Sequence, residues 1–213
     1  MQDMIKIQTK EHPNIVLKAI PGHFATPNSH VNYFLDMTTL KTNLEEASAV
    51  ARELSVQIGS STVIDTIVCI DGCEIIGAFL AEELTKAGAY LKEKRDTIYI
   101  LTPEYAGTGQ FMFRENYQPM IKGKNVLLLL ASATTGQTIV RAAQSLSCYG
   151  ANISGISAVF SAARSMMGIP IKSLFSIADI PGYKAYDPEG CELCMKGQSV
   201  DAFANAFGYS RIN

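Results

Sequence analysis

The chain has 213 residues, 47% hydrophobic and 18% charged, with a formal net charge of −2. That length supports one sizeable core with room for a small appended subdomain, and the near-neutral balance excludes a disordered polyelectrolyte or a polyanion-binding surface. The best candidate for a membrane span, Val126 to Ala133, has only strand length.

Met1-Gln2-Asp3-Met4-Ile5-Lys6 lacks the basic-then-apolar plan of a signal peptide. The five cysteines, Cys69, Cys73, Cys148, Cys191 and Cys194, form an odd set. Reduced thiols in a cytoplasmic protein follow as the expectation, with neither membrane nor nucleic acid as a partner. Residues 1–36 are broken by Pro13, Pro21, Gly22 and Pro27, but Val31 to Asp36 alternates as a strand does. From Thr42 to Ile58, Leu44, Ala47, Ala51, Leu54 and Ile58 recur at helical spacing, and Gly59 with Ser60-Ser61 supplies the stop.

Strand and helix signals then alternate. Thr62 to Ile70 is β-branched and apolar, Glu74 to Ala87 is helical up to Gly88, and Thr97 to Leu101 is a second strand. Thr102 to Lys122 is polar and aperiodic, the length of a lid or binding loop. Val126 to Leu130, Asn152 to Phe160 and Ile171 to Ile177 are further strands, with a helix from Gln137 to Tyr149. The tail is irregular around Pro181, Gly182, Pro188 and Gly190, with a short helix expected from Val200 to Phe207. Such alternation predicts an α/β fold: a mostly parallel central sheet of about five strands with helices on both faces.

The aliphatic run ends in Ala133-Thr134-Thr135-Gly136-Gln137-Thr138, where a helix begins. A strand, a tight turn and a helix N-terminus present backbone N–H groups and the positive dipole end to an anion. Helix capping alone would need fewer hydroxyls, so Thr134, Thr135, Gly136, Gln137 and Thr138 are the candidate phosphate-binding residues.

This segment resembles the phosphoribosyl-pyrophosphate loop of type I phosphoribosyltransferases, and the resemblance extends along most of the chain to the orotate branch. Val16 to Phe24 followed by Ser29 to Asp36 is similar to that branch's N-terminal hood. Asp71, Gly72, Cys73 and Glu74 occupy the place of the pyrophosphate-binding loop, and residues 102–122 that of the catalytic lid. The resemblance implies a single domain over 1–213, with an α/β core at 42–178 and a small hood from both chain ends, 1–41 and 179–213. It further implies a homodimer acting in pyrimidine nucleotide metabolism, magnesium bound with pyrophosphate, and a base pocket near Ser29, His30 and Tyr33.

The chain departs from the family where catalysis is served. Leu130 and Ala131 replace two adjacent acids that hold the ribose hydroxyls, and the lid lacks the family's basic residues, with Arg114 and Lys122 the nearest cations. No catalytic residue can be carried over. Two readings remain: weakened phosphoribosyl transfer, or a non-catalytic sensor of a nucleotide or phosphoribosyl metabolite. Asp71, Gly72 and Glu74 serve equally as strand-to-helix punctuation or as a loop that recruits magnesium. Cys191 and Cys194 form one C-x-x-C, whereas a structural zinc needs four ligands. With His12, His23 and His30 scattered, no metal site is assigned. The cysteines are expected as ordinary thiols.

Overall fold

The aliphatic run at 126–130 needs burial on both faces, and the chain supplies it by wrapping helices around the strand that contains it. The computed structural model describes residues 3–8, 11–59, 62–88, 97–107 and 109–212. Met1, Gln2, the Ser60-Ser61 stop signal and Thr108 of the expected lid lie outside the described residues. The chain opens with β1 (Ile5–Ile7), β2 (Leu17–Ala25), β3 (His30–Asp36), α1 (Thr38–Thr42) and α2 (Leu44–Ile58). There follow β4 (Thr66–Cys69), α3 (Glu74–Gly88), β5 (Tyr99–Leu101), β6 (Glu104–Tyr105) and β7 (Phe111–Met112). Next come β8 (Asn125–Ala133), α4 (Gln137–Cys148), β9 (Asn152–Ser161), β10 (Ser165–Met166) and β11 (Ile169–Ser176). The last elements are β12 (Ala185–Tyr186), α5 (Glu192–Met195), β13 (Ala202–Asn205) and β14 (Gly208–Arg211).

The central sheet has the order β10-β11-β9-β8-β4-β5, parallel except for β10 at one edge. Along β8, Leu127, Leu129 and Ala131 join Ala47, Val50 and Leu54 of α2 and Ile76 and Leu80 of α3 in one core. Val126, Leu128 and Leu130 face the other way and join Ile139, Ala142 and Leu146 of α4. Burial on both faces is why the run carries no alternation. Gly77 lets α3 lie close on β4, because a Cβ there would overlap the Cys69 sulfur.

A second sheet, β12-β3-β2-β13-β14 with β1 also on β2, draws its strands from both ends of the chain. Its own small core holds Phe24, Val31, Ala202 and Ala204, with the rings of Phe24, Phe34 and Tyr209 in mutual contact. This is the hood.

Four expectations are corrected. The helix from Thr42 divides at Asn43, whose side chain accepts from the Glu45 and Glu46 N–H groups and restarts the chain as α2. Leu44 is therefore 69% exposed and outside the apolar stripe. The strand from Thr62 shrinks to β4, preceded by Asp65, whose carboxylate accepts from the backbone and side chain of Asn125. The helix expected at Val200–Phe207 is the β13–β14 hairpin: Ala202 and Ala204 are buried, whereas Phe203 is 64% exposed, a two-residue period. The expected lid contains the β6–β7 hairpin and a 3-10 turn at Glu115–Met120, tied down by buried Phe111 and Phe113. Among the described residues no helix is long and apolar enough to cross a membrane.

Candidate functional site

A cavity of about 480 Å³ lies where the carboxyl end of β8 meets the hood. Parallel sheets place ligands at strand carboxyl ends, because helix N-termini and loops converge there. Its floor is the end of β8 and the first turn of α4, including Thr134, Thr135, Gly136 and Thr138. Gly136 has φ +77°, and a Cβ there would overlap the Met166 methyl, so both backbone and packing favour glycine. Gln137, the fifth residue of the expected phosphate loop, is exposed and does not line the cavity. The Thr134 hydroxyl lies 3.5 Å from that of Tyr183, whose ring meets Phe160 edge-on and stacks on Tyr33. Burial raises the Tyr183 pKa, and the Thr134 contact partly offsets it.

The expected pyrophosphate loop divides. Asp71 has φ +64° and Gly72 φ +76°, a left-handed pair uncommon for an aspartate, and Asp71 faces the cavity. Cys73 is fully buried in the core, where desolvation raises its thiol pKa, and Glu74 points outward to accept from the Thr102 hydroxyl. Neither lines the cavity. Burial pushes the Asp71 carboxyl up to about 6, with Lys41 pulling the other way and Glu74 adding to the rise. Among the described residues lining the cavity, Asp71 supplies the single carboxylate.

Two cations missed at the sequence level face the same space. Lys41 is 6% exposed and donates to the backbone carbonyls of Asp71 (2.8 Å) and Ala206 (2.6 Å). Arg141, one turn into α4, donates to the Asn28 side chain at 3.1 Å. Its offset from the Thr-rich turn could have marked it, since i and i+4 share a helix face. Nothing local marked Lys41, whose role depends on the C-terminal hairpin reaching it. Arg114, the nearest lid cation named from sequence, is spent on a bidentate pair with Glu104 (2.6 Å at its shortest) and does not line the cavity.

Of the expected base-pocket residues, Ser29 and Tyr33 line the cavity and His30 does not. The His30 ring meets His23 instead, in a cluster with Cys191 and Cys194. Leu130 and Ala131 are buried at the end of β8 and give that part of the cavity floor an aliphatic surface.

No protein-family model matches the chain. The orotate phosphoribosyltransferase of Chlorobaculum parvum (strain DSM 263 / NCIMB 8327) is 22% identical over 184 residues, 86% of this chain and 87% of that protein. Among solved structures, orotate phosphoribosyltransferase of Mycobacterium tuberculosis H37Rv, in complex with Fe(III) dicitrate, superposes with a TM-score of 0.52 at 14% identity. That match covers 78% of this chain and 93% of the other. Adenine phosphoribosyltransferase of Leishmania donovani gives a TM-score of 0.53 at 16% identity, over 78% of each chain.

Proposed function

We propose that this chain, which has the type I phosphoribosyltransferase fold, binds a ligand containing ribose 5-phosphate, either phosphoribosyl pyrophosphate or a nucleotide. The observation that carries the reading is the glycine-pivoted turn Thr134–Thr138 at the head of α4, opening into a cavity flanked by Lys41 and Arg141. Backbone N–H groups, threonine hydroxyls and the helix dipole would hold the 5′-phosphate. Lys41 stands beside the Asp71–Gly72 turn, where pyrophosphate would lie.

Magnesium fits modestly. It prefers oxygen ligands, keeps several waters and commonly shares phosphate oxygens, so one carboxylate suffices to anchor it. Asp71 would be that carboxylate, and the ion would neutralise pyrophosphate charge next to it.

Phosphoribosyl transfer requires stabilising a cationic ribosyl centre and a departing pyrophosphate. Leu130 and Ala131 offer no hydrogen-bond acceptor to the ribose hydroxyls, and Arg114 is already neutralised by Glu104. Each missing preorganised contact costs roughly 2.7–4 kcal/mol of transition-state stabilisation. Transfer is therefore weak, and these same substitutions favour a second reading, a sensor whose task ends at binding. Base identity stays with the hood, through Ser29 and Tyr33.

Calorimetric titration of phosphoribosyl pyrophosphate, nucleoside monophosphates and inorganic phosphate, each with and without magnesium, tests the proposal. Thr135→Ala with Thr138→Ala should weaken binding by roughly tenfold or more, the value of hydrogen bonds to a charged group. Absence of binding by every phosphorylated ligand sinks the reading. Acids restored at Leu130 and Ala131 should raise pyrophosphate-dependent turnover if transfer survives, and leave it at background in a sensor. A homodimer, implied by the resemblance, would scatter light as twice the chain mass.

A further inference from the structure

Four side chains distant in sequence converge at the edge of the hood. His23 lies on β2, His30 opens β3, and Cys191 and Cys194 come from the start and third residue of the α5 turn. Their ligand atoms all lie within 4.8 Å of one another. His23 Nε2 is 3.0 Å from His30 Nδ1, 3.5 Å from Cys191 Sγ and 3.7 Å from Cys194 Sγ. Cys194 Sγ is 3.4 Å from His30 Nδ1.

We propose that these four residues form a structural zinc site. Zinc–nitrogen bonds of about 2.0–2.1 Å and zinc–sulfur bonds of about 2.3 Å place tetrahedral N–N edges near 3.3 Å and N–S edges near 3.6 Å. The four observed separations lie within about 0.3 Å of those edges and all donor atoms fall within 4.8 Å of one another, so a metal fits with small side-chain adjustments. The donor set is two imidazoles and two thiols, the borderline-soft combination that selects zinc over magnesium or calcium.

The second layer of contacts supports the assignment independently. His23 is fully buried, and its Nδ1 faces the carbonyl oxygens of Gln198 (3.0 Å) and Ser199 (3.2 Å). Carbonyls only accept, so Nδ1 carries the proton and the neutral ring turns the lone pair of Nε2 into the cluster. A metal-ligating histidine is commonly oriented this way. Without a metal, one His30 N–H serves His23 Nε2, and two thiols crowd the same point with only weak S–H groups to offer. With zinc, both thiols lose their protons to solvent, and two thiolates with two neutral imidazoles leave the centre uncharged.

All four positions are taken by protein, so the metal has no open position for substrate and acts as a clamp. It joins the C-terminal turn to the β2–β3 hairpin. The loop between the two histidines, Thr26 to Ser29, lines the ligand cavity. Metal binding therefore holds one wall of that cavity in place. C-x-x-C and H-x6-H are each too weak to announce this in the sequence, and only the return of the chain end brings them together.

The test is elemental analysis of the untagged full-length chain, purified under reducing conditions without chelator. One zinc per chain is expected. Cys194→Ser should lose the metal, whereas Cys148→Ser, an exposed cysteine outside the cluster, should keep it. If Cys194→Ser fails to fold, cobalt(II) added to chelator-stripped wild type decides. Tetrahedral thiolate ligation gives intense visible bands and a near-ultraviolet thiolate-to-metal transition. Only traces of metal together with no such spectrum would overturn the proposal, as would a Cys191–Cys194 disulfide in the reduced preparation. Full metal retention by Cys194→Ser would do the same, and stoichiometric iron would overturn the zinc assignment. None of these readouts uses the phosphate ligand, so the site stands or fails apart from the proposed function.

Discussion

The two sheets of this molecule are stabilised by different means. The central sheet is sealed by aliphatic side chains on both faces, with Leu127 and Leu129 under α2 and α3 and Leu128 and Leu130 under α4. Among the described residues the hood's own core cluster holds four buried apolar side chains, and polar contacts add to its order. The His23 N–H donates to the Asp201 carboxylate while the His23 carbonyl accepts from the Asp201 N–H, and Lys41 joins α1 to both the Asp71 turn and the C-terminal hairpin. The cavity lies between them. On the proposed reading the phosphate would meet the end of β8 and the head of α4 and the base would meet the hood, so phosphate affinity and base choice should respond to different mutations.

The largest expected effect comes where the two sheets touch. Phe160 is fully buried at the end of β9 and meets the Tyr183 ring at 5.1 Å. Phe160→Ala should cost ~3–5 kcal/mol in denaturant unfolding, the range for deleting a buried aromatic ring. It should also weaken ligand binding through Tyr183 and Thr134. A loss confined to stability would mean that the junction does not transmit to the cavity.

How much was legible follows the same division. The β8 run, the turn at Gly136 and the α4 stripe are continuous in sequence, and their burial on two faces or one is written in the local pattern. The hood's decisive contacts are long-range. Lys41 meets Ala206, His23 meets Cys191, and β13 pairs in parallel with β2, none of which a local window contains. Ala202 to Phe207 misleads for a related reason: Ala202 and Ala206, like Phe203 and Phe207, stand four apart as on one helix face, until a partner strand selects the two-residue period. Asp71 and Gly72 were legible as a turn, but not that Cys73 and Glu74 would face away from it.

Lys41→Met sharpens the comparison from the hood side. The substitution keeps the aliphatic stem and removes the ammonium, leaving the Asp71 and Ala206 carbonyls without that donor. Stability should fall by ~1–3 kcal/mol, the cost of unsatisfied buried acceptors. If the hood were held by its apolar centre alone, the melting temperature would not move.

Asp71→Asn should act with opposite signs on fold and ligand. Burial raises the carboxyl from 3.8 to about 6, so the native state keeps a proton that the unfolded chain releases. Stability from this group is present below pH 3.8, declines as pH rises toward about 6, and is lost above it. The asparagine variant should therefore be more stable at neutral pH by about 1–2 kcal/mol, after allowance for solvent screening, and show a flatter profile over that window. Magnesium-dependent binding of phosphoribosyl pyrophosphate should weaken in the same variant. A stability gain with unchanged magnesium dependence would leave the left-handed turn as punctuation only.

The smallest effect is expected from the lid. Arg114 and Glu104 make a bidentate pair, but both side chains are more than half exposed, at 59% and 51%. Water screens such a pair and the ordering of two long side chains opposes it, so geometry this good still contributes little. The hairpin is anchored elsewhere, by buried Phe111 and by the Ser145 hydroxyl donating to the Phe111 carbonyl at 2.8 Å. Arg114→Ala should leave the unfolding midpoint unchanged and, since the guanidinium lies outside the cavity lining, leave phosphate binding unchanged as well. Glu104→Ala is the more informative partner, because it frees Arg114 without removing it. A gain in pyrophosphate affinity in Glu104→Ala alone would mean that the lid retains a usable cation held in check by its neighbour, and the weakness of transfer would then rest on Leu130 and Ala131.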